Sequence, residues 1–100
     1  MSRYRVRING RNFLLRFVDR SQRKKKYGFY CTRDVSAVSF EDAETKAVEL
    51  IKNEERITSI TLNAKDDSPM LYVDDIRVLR VEEETLNNSG FTYYPEVYES

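Results

Sequence analysis

The stretch YRVRINGRNFLLRFV at residues 4–18 constrains the fold more than any other part of the sequence. Apolar and charged residues alternate on both sides of Asn9-Gly10, as they do in half-buried β-strands. Asn-Gly is the strongest short signal for a two-residue hairpin, because both residues accept a positive φ. The stretch therefore predicts a β-hairpin that sorts its side chains onto two faces. The apolar face consists of Tyr4, Val6, Phe13 and Leu15. The cationic face consists of Arg3, Arg5, Arg7 and Arg16.

A third strand is predicted from about Tyr27 to Val35, where aromatic and β-branched residues are frequent. The polar stretch DRSQRKKK before it predicts a loop, so the first three strands form an antiparallel meander. One face of the third strand carries Tyr27, Phe29, Cys31 and Arg33, and the opposite face carries Gly28, Tyr30, Thr32 and Asp34.

One helix is predicted, with Ser39 as its N-cap and its end near Asn53. Asp42 gives a start like a capping box and lies four residues before Lys46, the spacing of a stabilising ion pair. The apolar stripe of the helix consists of Phe40, Ala43, Ala47, Leu50 and Ile51.

The second half of the chain adds strands to the sheet. Residues 57–62 fit either a short strand or an extended edge. Residues 70–81 fit a strand whose alternation breaks at Asp74-Asp75, which indicates either a bulge or a switch of the buried face. The predicted fold class is α+β: an antiparallel sheet of four to five strands in the order β-β-β-α-(β)-β, with one helix packed on one face. Residues 1–85 form the single domain, and residues 86–100 are an aromatic and acidic tail. Three states of the tail stay open: loose, docked on the sheet, or bound to a partner.

Composition limits the number of domains and the cellular compartment that we expect. A chain of 100 residues predicts a single domain, and its single cysteine excludes an internal disulfide. Neither a signal-peptide pattern nor an apolar run of membrane-spanning length occurs in the sequence, so we expect a cytoplasmic protein without a membrane partner.

The sequence offers few residues that are suited to catalysis. The sequence contains no histidine to activate Cys31, and its three glycines are too far apart for a phosphate-binding loop. The carboxylates of Asp74-Asp75 alternate between faces of a strand, and Asp66-Asp67 lacks the spacing of a calcium loop. We therefore expect no enzyme activity, no metal and no cofactor.

Charge is divided unevenly along the chain. Residues 1–33 carry eleven Arg or Lys and one acid, whereas residues 34–100 carry six basic and sixteen acidic residues. Two interpretations follow: the halves neutralise each other in the folded domain, which we favour, or the basic third binds an anionic partner. The candidate residues of the second interpretation are Arg3, Arg5, Arg7, Arg16, Arg23, Lys24, Lys25, Lys26 and Tyr30.

Two functions compete on this basis. One helix covers only one side of a sheet, so the other face or an edge can pair with a second copy or a partner protein. This hypothesis is a non-enzymatic protein-interaction or assembly module, a homodimer in its simplest form. The alternative is nucleic-acid binding, in which Tyr30 stacks on bases and the cations hold phosphates.

Overall fold

The fold is described here from a computed structural model, for residues 1–16, 25–86 and 90–96. Its elements are β1 (Ser2–Leu15), β2 (Lys25–Ala37), α1 (Phe40–Lys52), α2 (Glu55–Thr58), β3 (Met70–Val78) and β4 (Thr92–Pro95). The strands form one antiparallel sheet in the spatial order β3-β1-β2-β4, with α1 packed on it. The predicted α+β class is confirmed, but the predicted element order is wrong, because the described elements run β-β-α-α-β-β along the chain.

The predicted hairpin at Asn9-Gly10 is wrong. β1 runs straight through these residues, and Asn9 is paired with Tyr30 on one side and Tyr72 on the other. Gly10 does not have a positive φ. It lies under the ring of Phe29, so close that an added Cβ would be 2.3 Å from a ring carbon. The glycine therefore makes room for an aromatic ring and does not make a turn.

The predicted apolar face of β1 nevertheless exists, because a bulge replaces the turn. The pairing of β1 with β2 shifts between Gly10 and Phe13, and Asn12 has a φ of 63° in the left-handed region. This extra residue exchanges the two faces, so Val6 before the bulge and Phe13 after it are both buried against the core.

The cationic face does not form as predicted. Arg3 lies near the start of β1 and Arg16 directly follows its end, which places them at opposite ends of one strand instead of on two paired strands. At the rise of an extended strand, 13 residues span roughly 40 Å. The four arginines therefore do not form one patch.

The helix prediction is confirmed at both ends. Ser39 Oγ accepts a hydrogen bond from the Asp42 N–H at 3.1 Å, and Asn53 is the C-cap. The Asp42 carboxylate accepts from the Val38 N–H and pairs with Lys46 Nζ at 3.2 Å. Buried residues of α1 are Ala43, Ala47 and Ile51, while Phe40 and Leu50 stay about half exposed.

The prediction of a strand at residues 57–62 is wrong. It contains the end of α2 and not a strand: Ile57 is buried in the core, and only Thr61 forms a single bridge, to Leu15. Ile57 and Ile60 pack against the core from this position, and this packing overrides the strand propensity of the stretch.

Two features of the C-terminal half position the candidate site. The bulge predicted at Asp74-Asp75 is confirmed, because β3 pairs Asp75 with Arg7 and Val73 with Ile8, leaving Asp74 as the extra residue. Further on, β4 pairs with Tyr27 to Tyr30 of β2 at the opposite edge of the sheet. The chain must therefore cross the sheet between β3 and β4.

Candidate functional site

The sheet has one face packed against the helices and one face that α1 and α2 do not cover, called here the open face. The core fills the helix side, with Val6, Ile8 and Phe29 fully buried. Arg3, Arg5 and Arg7 alternate with these core residues and therefore lie on the open face.

Residues 80–86 cross one end of the open face on the way from β3 to β4. The guanidinium of Arg3 donates to the carbonyls of Arg80 at 2.8 Å and Val81 at 3.3 Å, and to the hydroxyl of Thr85 at 2.9 Å. Arg3 thus anchors the crossing segment, so its donors are used within the chain.

Arg5 is neutralised beneath the same segment. Its Nε and Nη2 donate to the two carboxylate oxygens of Asp34 at 2.9 and 3.0 Å, and the Asp34 side chain is only 2% exposed. Burial would raise the pKa of Asp34, but the bonds from Arg5 and from the Leu86 N–H lower it below its ordinary value. This part of the cationic face is a structural ion pair.

The other end of the open face carries a cluster of aromatic and cationic side chains, called here the Tyr–Arg patch. It consists of Arg7, Arg11, Tyr30, Tyr72 and Tyr94. The guanidinium carbon of Arg7 lies 4.5 Å from the ring centroid of Tyr30, and that of Arg11 lies 5.4 Å from the ring centroid of Tyr72. The rings of Tyr30 and Tyr94 are 5.5 Å apart.

Asn9 holds the Tyr–Arg patch together from below. Its side chain donates to the Phe29 carbonyl at 3.1 Å and to the Tyr94 hydroxyl at 2.9 Å, and its Oδ1 accepts from Arg11 Nε at 2.7 Å. Asn9 is only 3% exposed, so its own polar atoms in these bonds are shielded from water. The sequence prediction missed this role because it placed Asn9 in a turn. Its position between Tyr30 and Tyr72 becomes visible only once the strand register is known.

The bulge of β3 adds negative charge beside the patch. Arg7 Nε lies 3.3 Å from Asp74 Oδ2, and both side chains are about half exposed. Asp75 is opposite Arg7 in the register. The surface therefore carries both signs of charge next to exposed aromatic side chains. One of these is Tyr72, which is 44% exposed.

The predicted anion-binding residues do not all meet in this region. Arg3, Arg5, Arg7 and Tyr30 lie on the open face, with the first two tied to the crossing segment and to Asp34. Lys26 donates to Asp67 and to Asn12 near the bulge of β1. Arg16 follows the far end of β1. Lys25 begins β2, and Arg23 and Lys24 lie outside the described residues.

No catalytic constellation accompanies the patch in the described part of the chain. Cys31 is buried, and burial raises the pKa of its thiol to about 11, so it stays protonated at neutral pH. Within residues 1–16, 25–86 and 90–96, no three acidic or cysteine side chains are grouped as metal ligands. The two described helices are too short and too polar to cross a membrane.

Comparison with protein-family models, curated proteins and solved structures finds no match for this chain.

Proposed function

We propose that this chain is a non-enzymatic interaction module that associates with a second copy of itself through the Tyr–Arg patch. The observation that carries the proposal is the composition of the patch. Tyrosine and arginine are the residues most enriched at the energetic centres of protein interfaces, and here five of them are held together over a buried asparagine.

Rigidity supports the same proposal. Tyr94 and Arg11 are both fixed by Asn9, and Arg7 is fixed between the Tyr30 ring and Asp74. Side chains that are ordered before binding lose less conformational entropy when a partner arrives. The patch is therefore prepared for contact and does not have to be assembled by it.

The mixed charge favours a second copy as the partner. A two-fold interface brings the same surface of both protomers together, so each charge must find its complement on that same surface. Arg7 pairs with Asp74 and lies opposite Asp75, and a two-fold contact can place the arginines of one protomer on the aspartates of its partner. A surface of one sign could not do this.

Edge-to-edge pairing of sheets is the less favourable route to a dimer. The exposed edge strand β3 carries a bulge and two adjacent carboxylates at its centre, both of which oppose strand addition there. The face of the sheet, and not the β3 edge, is therefore our proposed contact surface.

Sedimentation equilibrium tests this proposal with matched variants. Arg11→Glu should weaken self-association about ten-fold, which corresponds to about 1.4 kcal/mol at a central interface residue. Tyr72→Ala should weaken it similarly. The controls are Lys65→Glu and Leu50→Ala, which change residues of comparable chemistry outside the patch, and they should leave association unchanged. A monomer at every concentration, or equal effects of variants and controls, would overturn the proposal.

Nucleic-acid binding is the second candidate, and one observation favours it. The guanidinium of Arg7 stacked on Tyr30 is an exposed cation on an aromatic ring of a sheet face, and such pairs can stack bases and contact phosphates. Fluorescence anisotropy with a single-stranded oligonucleotide at low salt tests it. Binding that Arg7→Ala removes and Arg16→Ala retains would support this candidate, whereas no binding at low salt would exclude it.

A further inference from the structure

An apolar cleft lies on the helix side of the sheet and reaches Tyr72, one residue of the Tyr–Arg patch. It has a volume of about 670 Å³, within the range of small-molecule sites. Phe13 of β1 and Leu71 of β3 form one wall, and Val48, Ile51 and Ile57 form the other. The cleft is thus enclosed by the sheet and both helices.

The cleft exists because the helices cover β3 incompletely. α1 ends at Lys52, and α2 has only four residues. As a result Leu71 and Val73, which face the helices, are only half-buried although they pack against the core. This leaves an apolar strip of β3 open to a ligand, and burying that strip is favourable in proportion to its area.

Charge at the rim narrows the class of ligand. Lys52 is the one charged side chain among the described residues that line the cleft. Its ammonium is 3.9 Å from Glu49, and both side chains are well exposed, so this pair is weak. Lys52 also stands in the last turn of α1, where its charge offsets the negative end of the helix dipole.

We propose that this cleft binds an amphipathic molecule with an apolar chain and a single carboxylate. The apolar chain lies against Val48, Met70 and Leu71, apolar lining residues that the fold leaves partly exposed, and the carboxylate pairs with Lys52 at the rim. Among the described residues, this binding site shares Tyr72 with the Tyr–Arg patch, and ligand binding does not require the proposed self-association.

Isothermal titration calorimetry with dodecanoate tests the proposal, and dodecanol is the neutral comparison of equal chain length. We expect dodecanoate to bind, and Lys52→Gln to weaken its binding about two- to five-fold, the effect of one exposed ion pair. Lys52→Gln should leave dodecanol binding unchanged. No binding of either probe would overturn the site. Equal effects of Lys52→Gln on both probes would overturn the assigned role of the carboxylate.

A filling variant shows where the probe binds. Thr58 is exposed at the rim of the cleft, so Thr58→Trp adds bulk there without disturbing the core and should weaken dodecanoate binding at least ten-fold. Thr45→Trp on the outside of α1 is the matched control and should bind dodecanoate normally. If Thr58→Trp instead abolishes self-association, a second copy occupies the cleft and the ligand assignment is wrong.

Discussion

Two glycines of the sheet are covered by aromatic rings, and their tolerance of a methyl group should differ. Gly10 lies under Phe29, which is fully buried, and an added Cβ would be 2.3 Å from the ring. Gly28 lies under Tyr94, where an added Cβ would be 2.1 Å from a ring carbon, but that ring is only half-buried on an edge strand. A buried ring cannot move away, whereas the Tyr94 ring can move toward solvent only by giving up its hydrogen bond from Asn9.

We therefore expect Gly10→Ala to lower the free energy of unfolding by about 1–3 kcal/mol, the usual cost of overpacking a core. Gly28→Ala should cost about 1 kcal/mol, the worth of the hydrogen bond from Asn9 that Tyr94 must give up in order to move. Gly90→Ala is the control, since its Cβ would meet nothing within 4 Å. Urea denaturation measures all three, and a Gly10→Ala protein as stable as the control would contradict the packing described for Phe29.

Glu83 should make stability depend on pH in acid. Its carboxylate accepts hydrogen bonds from Arg77 at 3.0 Å and from the Arg80 N–H at 3.2 Å, which lower its pKa from 4.5 to about 2. A pKa lowered by folding adds stability above pH 4.5, and this stability is lost as the pH falls toward 2.

The variant Glu83→Gln should remove that part of the acid-induced loss of stability. Thermal denaturation between pH 2 and 5 measures the effect. The control is Glu82→Gln, the same change at the neighbouring exposed residue. If the native protein and Glu83→Gln lose stability in parallel as the pH falls, the Arg77–Glu83 pair does not hold the crossing segment in solution.

Residue patterns predicted the helix more fully than the sheet. The cap at Ser39 and the Asp42–Lys46 pair depend on residues within one or two turns, so local sequence contains the information. At Asn9-Gly10 the local sequence fits a turn as well as it fits a continuous strand. The outcome is decided by the pairing of β1 with distant strands on both of its sides. Partners far away in sequence cannot be read from a local motif.

The candidate site was predictable only in part for the same reason. Alternation placed Arg3, Arg5 and Arg7 on one face of the first strand, as observed. It did not decide whether the face of the next strand that carries Tyr30 lies on the same side of the sheet. The contributions of Arg11, Tyr72 and Tyr94 depend on strand register across the whole sheet. The same register places Asn9 between Tyr30 and Tyr72, where nothing in its local sequence marks it as buried.

At the level of elements, β4 should depend on Phe91 for its attachment. The Phe91 ring lies edge-on to Phe29 at 5.1 Å, and the guanidinium carbons of Arg33 and Arg56 are each 5.4 Å from its centroid. The Glu54 carboxylate pairs with both arginines: its Oε1 lies 2.7 Å from Arg56 Nε, and its Oε2 lies 3.7 Å from Arg33 Nη2. One ring thus ties β4 to both the sheet and the helix side.

Phe91→Ala should therefore lower the free energy of unfolding by about 2 kcal/mol, less than for a fully buried phenylalanine. The amides of β2 that bond to β4 should also exchange with solvent faster. Hydrogen exchange followed by NMR measures this. Leu86→Ala, in the same connection but 45% exposed, is the control. Unchanged exchange in Phe91→Ala would mean that the backbone pairing alone holds β4.

At the level of the whole molecule, the opposite charges of the two halves of the chain meet across the sheet. Arg5 pairs with Asp34, Arg7 with Asp74 and Lys26 with Asp67. In each case a base from residues 1–33 contacts an acid from residues 34–100. The folded domain therefore neutralises part of its basic third internally, and the aromatic and mixed-charge character of the Tyr–Arg patch becomes the main feature of the open face.

The most direct test of the central claim is to follow backbone amide chemical shifts by NMR while the protein is diluted. Self-association through the Tyr–Arg patch predicts shifts that depend on concentration at residues 7–11 of β1, around Tyr30 of β2 and around Tyr72 of β3, with α1 unaffected. Shifts confined to α1 and α2, or no change at any concentration, would contradict the account.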